Sequence, residues 1–231
     1  MASVALIGPD GAGKTTLTRM LEQSDLLPIR YLYMGVNIHA SNHALLTARL
    51  AAYLKTRGRP STDVLEQSTG ARVDSTERAG RDGPLWAGAR LASRLVDAWY
   101  RQSVSWYYQL RGFTVLYDRH FVLDYGPEIT AGMADPLDKR VYRWVLLHFY
   151  PRPDLVIFLD APGELLFARK GEQTVEELER RRQAFLLMGQ RLRNFVRVDA
   201  TRPLPEVYGE VAEHVVRFCR PERLPLRTGA R

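Results

Sequence analysis

From Gly8 to Thr16 the chain reads Gly-Pro-Asp-Gly-Ala-Gly-Lys-Thr-Thr, directly after the apolar run Val4-Ala-Leu-Ile7. This fits G-x-x-x-x-G-K-[ST], the spacing of a loop that cradles a triphosphate tail between a strand and a helix. Gly8, Gly11 and Gly13 permit a tight turn whose successive N–H groups point inward. With Asp10 and Ala12 completing the loop and a helix N-terminus behind it, the result is a pocket of positive partial charge. In such a loop Lys14 bridges the β- and γ-phosphates and the Thr15 hydroxyl ligates Mg²⁺, with Thr16 next to it on the first helical turn. At ordinary residue usage the pattern arises by accident in about one in a hundred chains of this length. A nucleoside triphosphate is therefore the expected ligand.

Other polar residues capable of chemistry follow short apolar runs. Asp118-Arg119-His120 comes after Thr114-Val-Leu-Tyr117, Asp160 after Leu155-Val-Ile-Phe-Leu159, and Asp199-Ala-Thr201 after Phe195-Val-Arg-Val198. A charged pair leaving a buried strand suits Mg²⁺ and phosphate, so Asp118 and Arg119 are expected in the site rather than in a surface ion pair. Asp160, before Ala161-Pro162, is expected to shape a turn and cap the next helix. His120 reads equally as an acceptor-pocket residue or as a satisfied polar residue. Arg180-Arg-Arg182 on one helix point in several directions, so one or two of them reach a site.

Alternating elements position these residues. Strands are expected at Ser3–Ile7, Ile29–Met34, Thr114–Tyr117, Leu155–Leu159 and Phe195–Val198. The intervening helices are expected at Thr15–Gln23, Asn42–Lys55, Leu85–Arg111, Asp138–Tyr150, Gly163–Lys170, Thr174–Leu192 and Leu204–Cys219. Thr56 to Pro84, rich in Gly, Arg, Ser, Thr and Asp, reads as a loop. Short apolar strands separated by helices imply an α/β fold with a parallel sheet covered on both faces and ligands at the carboxyl ends of the strands.

The 231 residues fit one domain. A first strand starting at Ser3 leaves no room for a signal peptide, and no apolar run is long enough to span a bilayer. The single cysteine, Cys219, excludes an internal disulfide and suits a reducing cytoplasm; it reads as part of a buried helix face. The net charge of +7 reads first as solvated surface and second as electrostatics for phosphorylated ligands. Nucleic acid ranks last, because no aromatic-interleaved basic motif accompanies the arginines.

The loop Gly8–Thr16, the turn Tyr117-Asp-Arg-His120, the run Pro153–Asp160 with its helix ending Ala168-Arg-Lys170, and Val198-Asp-Ala-Thr201 together resemble the thymidylate kinase family of P-loop nucleoside monophosphate kinases. The motifs come in the family's order and cover most of the chain outside residues 38 to 84. The resemblance implies a P-loop NTPase fold, three-layered α/β/α around a mostly five-stranded parallel sheet. It also implies a short lid at about 169–182 and a variable acceptor-side insertion at 38–84. It implies Mg²⁺ and ATP as cofactors and transfer to a small-molecule phosphate acceptor, a nucleoside monophosphate first. By the same resemblance Asp10 meets the acceptor sugar, Asp118 stands near Mg²⁺, Arg119 reaches the acceptor or transferred phosphate, Arg169 opens the lid, and Asp199-Ala-Thr201 lies on the adenine side. Lys14, Asp118, Arg119 and Arg169 are thus the expected catalytic set, and Thr15 and Asp118 the metal ligands. Membranes and specific nucleic acids are not expected partners; a homodimer stays open.

The chain departs from the family on the acceptor side. Arg30-Tyr-Leu-Tyr-Met-Gly-Val-Asn37 lacks the R-x-P-G-G-T signature that grips an acceptor phosphate, and the arginine and aromatic of the long helix are displaced to Arg94, Trp99 or Arg101. The acceptor is therefore expected to differ from dTMP, with Tyr33, Asn37, Trp99 and Arg101 deciding it and Arg30 as a substitute cation. A kinase for a nucleoside, sugar or other metabolite hydroxyl is the alternative, as is an ATP-binding regulatory module. No N-K-x-D guanine motif supports a GTPase switch.

Overall fold

Five apolar runs pair in parallel to make the sheet: β1 (Ser3–Ile7), β2 (Ile29–Tyr33), β3 (Thr114–Asp118), β4 (Leu155–Asp160) and β5 (Phe195–Asp199), in the order β2-β3-β1-β4-β5. The computed structural model describes residues 2–35, 84–124, 136–171 and 173–220. The register brings the strand ends into rows. Leu6 and Tyr33 both lie opposite Asp118, and Asp160 lies opposite Asp199. The polar residues that follow the strands therefore emerge along one edge, as a parallel sheet requires.

Because neighbouring side chains on a strand point to opposite faces, the sheet feeds two cores. On one face Val4, Leu6, Leu116, Ile157 and Leu159 pack with Leu17 and Leu21 of α1 (Lys14–Glu22) and with Val211 and Val215 of α7 (Leu204–Cys219). On the other, Ala5, Ile7, Leu32, Val115, Tyr117, Val156 and Phe158 meet three more helices. These contribute Ala98 of α2 (Pro84–Leu110), Leu146 of α4 (Leu137–Phe149), and Phe185 and Met188 of α6 (Val175–Gly189). The fold is thus α/β, with helices on both faces of an all-parallel sheet.

Most of the expected helices form within a residue or two of their expected limits. Gly112, with φ 89°, closes the long α2. Thr174 proves to be the cap of α6, its Oγ1 accepting from the Glu177 N–H at 3.2 Å. That helix ends at Gly189, which lies against the Phe195 ring, short of Leu192. One helix was not expected: α3 (Phe121–Asp124), a single turn whose Leu123 and Asp124 N–H groups donate to the His120 carbonyl. Four residues are too few to carry a helical period. The expected helix at Asn42–Lys55, the loop at Thr56–Pro84 apart from Pro84 itself, most of the variable insertion and Asn37 lie outside the described residues. Among the described residues no helix is long and apolar enough to cross a membrane.

Candidate phosphoryl-transfer site

The loop between β1 and α1 forms as its glycines require. Gly8, Gly11 and Gly13 have φ of 153°, 89° and 90°, and a Cβ on Gly11 would stand 2.8 Å from the Leu166 carbonyl oxygen. Leu166 belongs to α5 (Gly163–Lys170), so the loop is pressed against the helix that follows β4. Lys14 is buried, and its Nζ donates to the carbonyls of Gly8 and Pro9, each at 2.8 Å, while lying 3.9 Å from Asp10 Oδ1. Burial and then the Arg119 charge push its ammonium down to about 8, against the pull of Asp10, Asp118 and Asp124.

The strand-end pair Asp118 and Arg119 lies against the Gly8–Thr16 loop. Thr15 Oγ1 donates to Asp118 Oδ2 at 2.5 Å, Tyr31 Oη lies 3.4 Å from the same oxygen, and Asp118 Oδ1 is buried with no hydrogen-bond partner among the described residues. Arg119 donates to Asp10 Oδ1 across 109 residues of sequence. It is the one non-glycine residue with positive φ among those described, at 68°. Gly35 makes this posture fit, because a Cβ there would lie 2.4 Å from the Tyr33 hydroxyl and 2.8 Å from Arg119 Cδ. Burial would raise the Asp10 carboxyl, but Arg119, Lys14, Arg181 and Lys170 outweigh it and hold it below the usual range.

The lid arginines divide their tasks. Arg181 Nη1 stands 3.8 Å from Asp10 Oδ2, whereas Arg180 is exposed. Arg182 turns the other way and grips Asp160, Nε to Oδ1 at 2.5 Å and Nη2 to Oδ2 at 3.1 Å. Asp160 also accepts from Arg197 Nε at 2.7 Å and is almost fully buried. It does not cap α5, whose cap position is Pro162 without a side-chain bond. Two arginines from α6 and β5 take its oxygens instead. Glu179 joins this clamp, accepting from Arg182 Nη1 at 2.8 Å and from the Gly163 N–H at 3.3 Å.

Arg169 faces neither Asp10 nor Asp118. Its Nη2 donates to the Ala200 carbonyl at 3.0 Å. Together with Gly11, Gly13, Thr16, Arg202 and Leu204 it lines a cavity of about 280 Å³ between the loop and the β5–α7 turn. Asp199 shapes that turn, accepting from Thr201 N and Oγ1 at 2.9 and 2.7 Å.

Among the described residues expected to decide the acceptor, Tyr33 stands beside Arg119 through Gly35. Trp99 packs on Tyr150 and Trp106, Arg94 pairs with Asp138 at 3.4 Å, and Arg30 lies over the Phe113 ring on the surface. Arg101 is buried at 1% exposure; it pairs with Asp97 and donates to the Gly35 carbonyl at 2.8 Å. It therefore braces the segment after β2. The Asp97-x-x-x-Arg101 spacing, an i,i+4 ion pair, was the available sequence signal for this brace. His120 is neither a satisfied polar residue nor exposed to a pocket. Both ring nitrogens lack partners among Tyr117, Tyr150 and the core, and burial pushes the imidazole down to about 3. Cys219 is half-buried and accepts from Thr114 Oγ1 at 3.7 Å, which fits a helix-face residue.

No protein-family model matches the chain, and no curated protein matches it.

Proposed function

We propose that this chain is a P-loop phosphotransferase that moves the γ-phosphoryl group of Mg·ATP to a small-molecule acceptor, in the manner of the thymidylate kinase family it resembles. The supporting observation is the convergence of Lys14, Thr15, Asp118 and Arg119 on one carboxylate-lined edge, with the orphaned Asp118 Oδ1 beside the Thr15 hydroxyl.

The Thr15 hydroxyl and Asp118 carboxylate are hard oxygen donors suited to Mg²⁺, which binds through few protein ligands together with phosphate oxygens. Bound there, it would neutralise charge developing on the transferring group. The N–H groups of the loop and α1 hold the tail, Lys14 exchanges the Gly8 and Pro9 carbonyls for phosphate oxygens, and Arg119 and Arg181 face the equatorial oxygens. The cavity at Arg169 and Ala200 takes the base of the donor. A single cysteine and this substrate suit a cytoplasmic enzyme, with no specific nucleic-acid partner.

Family resemblance puts a nucleoside monophosphate first as acceptor, with other hydroxyl compounds next. The rival reading, an ATP-binding regulatory module, rests on no particular contact. The test is ATP binding and ADP release by the purified chain and by Lys14→Ala. The variant should lose about a thousandfold or more in turnover while staying folded. Wild-type turnover in folded Lys14→Ala protein would refute the assignment.

A further inference from the structure

The cavity of about 280 Å³ between the phosphate loop and the β5–α7 turn has apolar walls in Ala12, Leu17, Leu204 and Val207. Its charged lining side chains among the described residues are Arg169, from the end of α5, and Arg202, from the turn. Both are tethered. Arg169 Nη2 donates to the Ala200 carbonyl at 3.0 Å, and Arg202 Nε donates to the Asp199 carbonyl at 3.3 Å while its Nη2 pairs with Glu210. A guanidinium has five N–H donors in a rigid fork and no acceptor, so each arginine is held in place and still has N–H groups to give.

The main chain of the turn is committed in the complementary sense. The Ala200 N–H donates to the Asp160 carbonyl at 2.8 Å and the Thr201 N–H to Asp199 Oδ1 at 2.9 Å, while the Asp199 and Ala200 carbonyls each take an arginine. A base seated here therefore meets arginine N–H groups and two carbonyls already in use. The 6-oxo group of a purine, with N7 beside it, accepts from a guanidinium without breaking any of these bonds. A 6-amino group is itself a donor. It must displace an arginine N–H from a carbonyl, or share that oxygen with its own partial positive charge set against a guanidinium, and either route weakens binding.

We infer that the donor site ranks 6-oxopurine triphosphates above ATP, with Arg169 and Arg202 reading O6 and N7 of the base. This rests on the phosphotransferase reading above and on its placing of the donor base; ATP becomes the weaker of the donors accepted, and the transfer itself is unchanged. The readers are two arginines of the cavity, with no need of an N-K-x-D motif.

The full chain, Arg202→Gln and the double variant Arg169→Gln/Arg202→Gln are each titrated with Mg·GTP, Mg·ITP and Mg·ATP by calorimetry, with circular dichroism as the check on folding. ITP isolates the 6-oxo group from the 2-amino group of guanine. One well-formed arginine-to-purine pair discriminates by about tenfold or more, so wild type should bind GTP and ITP about tenfold more tightly than ATP. Glutamine both donates and accepts and pairs with adenine through N6 and N7, so the gap should narrow in Arg202→Gln and close to within about threefold in the double variant. ATP bound by wild type as tightly as ITP overturns the inference, and so does a tenfold gap that survives in the folded double variant. In either case a triphosphate still binds and the phosphotransferase reading stands. Failure to bind any of the three would instead sink that reading and this one with it.

Discussion

His120 supplies the sharpest physical prediction, because it is a titratable ring with no bonding partner among the described residues. It is 1% exposed, with its centroid 5.1 Å from that of Tyr117 and 5.7 Å from that of Tyr150. Burial pushes its pKa from 6.5 to about 3. Between those values the unfolded chain binds a proton that the folded chain refuses, so stability falls as pH drops below 6.5. Each pH unit in that window is worth ~1.4 kcal/mol, and from pH 6.5 to pH 5 the loss comes to ~2 kcal/mol. His120→Phe keeps an aromatic ring of similar size and removes both orphaned nitrogens. It should match or exceed wild-type stability at pH 7 and be about 2 kcal/mol less sensitive to acidification down to pH 5. Urea unfolding followed by tryptophan fluorescence at several pH values measures both curves. Asp124, whose carboxyl is raised, shifts them in the opposite sense but equally in both proteins. Parallel curves would show that the ring is protonated or paired after all, and the argument from burial would fail.

Lys14 titrates near 8 in the free protein, so ATP affinity measured by calorimetry should weaken as pH rises from 7.5 to 9.5 and the ammonium is lost; a flat profile would contradict its buried placement. Gly35→Ala would place a Cβ 2.4 Å from the Tyr33 hydroxyl and 2.8 Å from Arg119 Cδ, so turnover should fall at least tenfold with ATP affinity little changed, and unaltered kinetics would sever Gly35 from Arg119. Asp160→Asn leaves Arg182 and Arg197 without their carboxylate. Chemical denaturation should show a loss of at most about 3 kcal/mol, reduced by the exposure of Arg197, and turnover should drop as Arg181 loses its anchored neighbour; intact stability and kinetics would make the clamp incidental.

The five strands and the phosphate loop were legible because each is a local signal, an apolar run or a glycine spacing. Thr15, Asp118 and Arg119 could be placed together because parallel strands must deliver their following residues to one edge. The partners of Asp160 were not legible. Arg182 and Arg197 lie 22 and 37 residues away, and their pairing depends on how α6 settles between β4 and β5. An Asp before Ala-Pro looks locally like a turn and cap, and long-range charge pairing prevailed. Arg169 is expected by sequence order to open a lid, and nothing in the sequence signals that its guanidinium donates to the Ala200 carbonyl, 31 residues away. Asp124 carried no signal, since its position follows from the one-turn helix that His120 begins.

The charge arrangement around Asp10 explains why a residue other than glycine holds a left-handed backbone in this place. Arg119 at φ 68° costs about 1–3 kcal/mol against an ordinary conformation, and such strain persists only where the surroundings dictate it. Here they do: the Arg119 N–H donates to the Leu6 carbonyl at 3.3 Å, the Asp118 carbonyl accepts from Met34 N at 3.1 Å, and Gly35 leaves space for the side chain. Two neighbouring strands thus pin the backbone on either side of the turn, and the guanidinium projects to Asp10 alongside Lys14 and Arg181. Asp118 and Asp124 share these cations with Asp10, so the charges on this edge stand paired before any ligand binds. An incoming phosphate oxygen would meet cations already positioned, with partner exchange in place of large movement, which is the condition under which electrostatic stabilisation of a transferring phosphoryl group is strongest. The strain at Arg119 is therefore the local cost of preorganisation, and relieving it with Arg119→Gly would free the backbone while removing the cation it exists to place.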